Sequence, residues 1–254
     1  MERKFLAIVM LGVGMLVSAC GNNQKNDAAV AESDSAKSET LVAQGDAEED
    51  DYETPERGID AIRKEWAGKT LKVDAGKGAL GIKDFALAFC KAFPQCGTNK
   101  ALGEFLASPN ANQNEFVLEK EEGYQIECNP RNGYIRNMAM TQTDRFTYAC
   151  YWNRKNGHKL FAAFMEECWE SVDWNQCLVV FYDYDPSTGN MKPEPALTKM
   201  IEERVKDYMC YYIRLPEEGK DIEVIGVESM EEEASADEMF MLIWNGQTFD
   251  WSDR

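Results

Sequence analysis

The chain is poor in the residues that most often carry catalysis or meet nucleic acid. It has one histidine, His158, in 254 residues. A nucleophile–histidine–acid site therefore has a single candidate base. His158 follows the Lys155-Asn156-Gly157 turn signal and reads as a surface or cross-strand residue. There is no G-x-S-x-G and no C-x-x-C. Those absences remove the nucleophile elbow and the usual zinc and dithiol spacings. Positive charge is scarce, with 27 Lys and Arg against 45 Asp and Glu and a net charge of −18. Without a Lys/Arg patch, nucleic acid and anionic lipid surfaces are excluded as partners. No apolar run reaches the roughly 20 residues that span a bilayer as a helix. The run from Phe5 to Val17 has 13.

That short run is part of a recognisable tag. Arg3 and Lys4 precede it, and Ser18 and Ala19 follow it, just before Cys20. A charged start, a short apolar stretch and small residues at the end make a secretory signal. Val17-Ser18-Ala19-Cys20 resembles the lipobox of bacterial lipoproteins. The resemblance covers these twenty residues and gives an address rather than an activity. It implies cleavage before Cys20 and acyl chains, palmitate among them, on that cysteine. Two or three chains anchor stably where one binds marginally. Gly21 in place of an acid implies, by the same resemblance, the outer membrane, on its periplasmic or surface face. Residues 1–19 carry a net +1 from Glu2, Arg3 and Lys4, so the other 235 residues carry −19.

Residues 20–56 read as the lipidated cysteine and an acidic tether. From 21 to 56, eleven acids face two lysines, with few large apolar side chains. Such a segment cannot bury enough surface to offset its ordering entropy. The folded body is assigned to 57–254. Seven cysteines follow Cys20, an odd number that forbids complete pairing within one chain. Two local disulfides are candidates in an exported chain, Cys90 with Cys96 and Cys168 with Cys177. The competing reading makes these cysteines small buried hydrophobes.

Apolar periodicity changes once along the body. Ile59, Ile62 and Trp66 share a helical face, as do Ile82, Phe85, Ala86, Phe89 and Phe93 before Pro94. Thr98 is placed to cap a helix carrying Leu102, Phe105 and Leu106. From about 115 the period becomes two, with turns at 121–123, 129–133, 155–157 and 185–189. A helix is expected over 196–208, then strands around turns at 217–220 and 245–246. The fold class is α+β: a mostly antiparallel, hairpin-rich sheet of eight or more strands, one face buried, packed with a few helices. Parallel α/β is disfavoured because strands follow strands through tight turns. Val117 to Gly123 is similar to Ile213 to Gly219, and Tyr151 to Gly157 to Ile243 to Gly246. These likenesses raise a duplication with halves 57–194 and 195–254, against chance reuse of hairpin chemistry.

Three places invite function. Asp183, Asp185, Ser187 and Glu194 have the spacing of a calcium loop. Thr188 stands where that loop wants glycine, however, and a plain Asp-Pro-Ser-Gly turn explains the same residues. Trp169 and Trp174, between Cys168 and Cys177, are loop aromatics of the kind that anchor protein or carbohydrate partners. Paired carboxylates could serve a hydrolase, although 45 acids give no way to choose a pair. The leading expectation is a non-enzymatic, lipid-anchored envelope protein that binds a ligand or partner and needs no cofactor. A carboxylate- or metal-dependent hydrolase and a structural component of an envelope assembly are the alternatives.

Overall fold

Two neighbouring strands with no polar face set the architecture. Lys159–Glu167 and Cys177–Asp185 carry the unbroken apolar runs Leu160 to Met165 and Leu178 to Tyr182, fully buried throughout. A strand apolar on both sides must be covered on both sides. The computed structural model describes residues 58–74, 78–118, 123–140, 145–167, 177–228 and 238–252. Cys20, Cys168, Trp169 and Trp174 lie outside them.

In chain order the elements are α1 (Gly58–Glu65), β1 (Leu71–Lys72), α2 (Ile82–Ala92), α3 (Asn99–Leu106), β2 (Glu115–Leu118), β3 (Gly123–Asn129), β4 (Tyr134–Met140), β5 (Arg145–Asn153), β6 (Lys159–Glu167), β7 (Cys177–Asp185), β8 (Asn190–Pro193), α4 (Pro195–Val205), β9 (Cys210–Arg214), β10 (Ile222–Val227), β11 (Glu238–Trp244) and β12 (Phe249–Trp251). An eight-stranded sheet has the order β1-β8-β7-β6-β5-β4-β3-β2, and a four-stranded sheet the order β12-β11-β10-β9. Every pairing is antiparallel. The fold is α+β, and residues 53–254 form one unit.

The large sheet is covered on both faces, not on one as its hairpin patterning suggests. Phe161, Ala163 and Met165 of β6 and Leu178, Val180 and Tyr182 of β7 face the helical layer of α1 to α3. There Phe85 and Phe89 meet Phe161, with ring centroids 6.3 and 5.8 Å apart. The alternate residues Leu160, Ala162, Phe164, Val179 and Phe181 join a second core. Its other side comes from α4 (Leu197, Ile201, Val205) and from the small sheet (Ile213, Ile222, Val224, Phe240, Leu242, Phe249). Trp152 binds these layers together. It is fully buried, meets Phe249 edge-on at 5.1 Å, and donates its indole N–H to the Lys220 carbonyl at 2.8 Å. Arg204, at the end of α4, lies 4.4 Å over the Phe240 ring.

Three expectations change. Thr98 does not cap α3; its hydroxyl donates to the Asn137 carbonyl at 3.2 Å, pinning the α2–α3 turn to β4. Cys90 and Cys96 are both buried thiols outside any disulfide. Cys90 packs closely against α3, where a Cβ on Gly103 would sit 3.2 Å from Cys90 Cβ. Cys177 donates its thiol to the Tyr211 carbonyl at 3.2 Å, and its expected partner Cys168 lies outside the described residues. The proposed halves also part ways in topology. Three strands, β3 to β5, separate the two similar turns in the first half, and two strands, β10 and β11, separate them in the second. Odd and even counts place those turns at opposite ends of one meander and at the same end of the other, which argues for reused turn chemistry rather than duplication.

Candidate functional site

The residues with calcium-loop spacing do come together, around a different cation. Asp183 and Asp185 lie at the end of β7, and Glu194 follows β8. The hairpin between them closes at Gly189, whose φ of +69° favours glycine. Beside it, the β5–β6 turn closes with Gly157 N–H donating to the Arg154 carbonyl at 3.0 Å and Arg154 N–H to the His158 carbonyl at 3.0 Å. This turn sends Arg154 beneath the β7–β8 hairpin with only 5% of its side chain exposed. One guanidinium nitrogen donates to Asp183 Oδ1 at 2.5 Å and the other to Glu194 Oε2 at 2.6 Å. Two of the four expected calcium ligands are thus paired with an arginine.

The other two are spent within their own turn. Asp185 Oδ1 accepts from the Ser187 backbone N–H at 2.8 Å and from its hydroxyl at 2.6 Å. These Ser187 bonds hold the Asp185 carboxyl below its usual range. Among the described residues, no group of three or more His, Cys, Asp or Glu is arranged to hold a metal ion. The plain-turn reading of 185–189 is the one the geometry carries.

His158 completes the cluster as a cross-strand residue. Its Nδ1 lies 2.7 Å from Asp183 Oδ2, and its Nε2 lies 3.9 Å from Asp185 Oδ1. An ionised carboxylate only accepts, so Nδ1 carries the hydrogen toward Asp183. A carboxylate-oriented imidazole is the base half of many hydrolytic sites. The hydroxyl of Ser187 donates to Asp185 at 2.6 Å. The cluster joins the β5–β6 hairpin to the β7–β8 hairpin. Lys155 extends it to the small sheet, donating its backbone N–H to the Gly246 carbonyl at 2.9 Å and its Nζ to the Asn245 carbonyl at 2.8 Å.

The second place of interest is the outer face of the small sheet. Ile213, Val224, Phe240 and Leu242 point into the core. Strand alternation then turns Tyr212, Arg214, Glu223, Ile225, Met239, Met241 and Ile243 outward. The register aligns Tyr212, Ile225 and Met239 across three strands, and Arg214, Glu223 and Met241 in the next row. Among the described residues, the large hydrophobic side chains that stand exposed are Met209, Met239 and Ile243, at 41, 60 and 39%. Met239 and Ile243 belong to β11, and Met209 lies in the connection between α4 and β9. Sequence reading missed this face and Arg154. The run Met239-Phe-Met-Leu-Ile243, apolar in both phases of a hairpin strand, was the available signal for the face. Nothing local marks Arg154, whose partners lie 29 and 40 residues away.

No family model, no curated protein and no solved structure matches the chain.

Proposed function

We propose that this is a lipid-anchored cell-envelope protein that binds a protein partner and performs no chemistry itself. Exposed Met239 and Ile243, with half-buried Met241 between them on the outer face of the small sheet, carry the reading. Solvent-facing strands ordinarily bear polar residues, and a contiguous apolar face marks an interaction surface. Methionine and isoleucine suit a protein surface better than a sugar, which stacks on aromatic rings. The lipobox-like start and the acidic tether support placement at a membrane, with the body held away from it. Site-specific photo-crosslinking in native membranes tests this. A photoreactive residue at Met241 should give one discrete adduct, and one at exposed Asn156 should give none. Equal labelling from both sites, or none from either, would defeat the proposal.

A carboxylate-dependent hydrolase is the second reading, favoured by the imidazole oriented on Asp183. Turnover of a chromogenic ester or phosphoester by the wild type that H158Q abolishes would put it first.

A further inference from the structure

We infer that the partner received by the outer face of the small sheet is a basic protein segment with apolar anchors at alternate positions. This rests on the reading of that face as the binding surface. Residues 206–254 hold 13 acids and 4 bases, so half of the chain's net −18 lies in its last 49 residues. The described bases among them each have a partner. Arg214 pairs with Glu223 at 3.1 Å, Lys206 with Glu203 at 2.5 Å, and Lys220 donates to Asn132 Oδ1 at 3.1 Å.

Two acids near the column bond neutral donors. Asp221 accepts from the Trp244 backbone N–H at 2.9 Å, and Asp250, opposite outward Ile243, from Asn245 Nδ2 at 2.6 Å. The Ile243 end of the apolar column is therefore bordered by two acids that bond neutral donors, Asp221 and Asp250. Such a border repels anionic lipid, an acidic partner and a second copy of this chain, and it attracts Lys and Arg. The spacing adds a geometric condition. Met239, Met241 and Ile243 recur every second residue over about 13 Å of strand, which an extended segment matches with alternating apolar and basic side chains. Apolar burial then supplies affinity, and charge supplies selectivity and association rate.

The test uses fluorescence anisotropy on the full chain in detergent, with three labelled ten-residue peptides as probes: alternating Val/Lys, Val/Glu and Ser/Lys. The Val/Lys peptide should bind at least about tenfold more tightly than either comparator, and weaken about tenfold between 50 and 300 mM salt. M241K should weaken it by a similar factor, roughly tenfold, with the unfolding midpoint unchanged. D221N/D250N should flatten the salt dependence. Equal binding of Val/Glu or of Ser/Lys, or no salt dependence, overturns the inference. If Val/Lys fails while the crosslink at Met241 persists, the face binds a partner of other chemistry and only the inference falls. If the crosslink is absent too, the binding-face reading falls with it.

Discussion

The Arg154 cluster gives the sharpest stability test. R154M keeps the stem's volume and removes the guanidinium, leaving Asp183 and Glu194 beside each other without a counter-charge. Removing one partner of a buried ion pair costs about 3–5 kcal/mol. Asp183 and Glu194 keep 24 and 33% of their side-chain exposure. Water recovers part of that cost, so the expected loss is about 2–3 kcal/mol. For a body of this size that lowers Tm by about 4–12 °C. D183N should cost about 1–2 kcal/mol by itself, through weaker bonds to Arg154 and His158. The double variant should cost little more than R154M, a coupling of about 1–2 kcal/mol. Urea unfolding followed by tryptophan fluorescence reads all four corners of the cycle. R154M within about 0.5 kcal/mol of wild type, or strictly additive variants, would show that the guanidinium is not what holds the two hairpins together.

Three further outcomes follow from packing and burial. Burial pushes the Cys150 and Cys177 thiols up to about 12, and raises that of Cys90 as well. The folded state then holds protons that the unfolded chain releases above the usual thiol value, so stability is full below about pH 8.5 and falls as pH climbs toward 12; a flat urea midpoint from pH 8 to 10.5 would contradict this. In G226A the new Cβ would meet the Tyr208 ring at 2.6 Å, and overpacking of that kind costs about 1–3 kcal/mol; calorimetry of G226A and of G226A/Y208A should show the second substitution returning part of the loss. N99A removes a donor to the Phe93 carbonyl at 2.9 Å and the acceptor of the Thr147 hydroxyl at 3.1 Å, both buried; the cost should be about 2–3 kcal/mol, since each partner is stranded away from water, and hydrogen exchange in α3 should quicken, whereas unchanged exchange would release Asn99 from that role.

How much of this was legible depends on range. The helices announced themselves because Ile82, Phe85, Phe89 and Phe93 repeat with the helical period, and the hairpins because their Gly-bearing turns are local. β1 and β8 escaped notice because two and four residues carry too little period, and only their mutual pairing makes them strands. The double burial of β6 and β7 was written in runs such as Leu178-Val-Val-Phe181, but those runs fit a hydrophobic one-faced strand almost as well. Thr98 had the composition of a cap, yet β4 offered its hydroxyl a buried carbonyl. Asp183 and Glu194 were picked out as a pair for their loop spacing. The guanidinium that claims both could come only from tertiary structure, because Arg154 lies on another hairpin.

The pairing of β1 with β8 has a consequence for assembly. Leu71 lies against Met191, a partner that arrives about 120 residues later in the chain. For a polypeptide threaded N-terminus first, the three early helices emerge with Phe85, Phe89 and Phe93 bare, and nothing to lay them on until β5 to β7 follow. That interval is when the nascent protein is most prone to stick to its neighbours. Escorts that shield newly delivered chains should therefore be needed at the beginning of delivery rather than at its close.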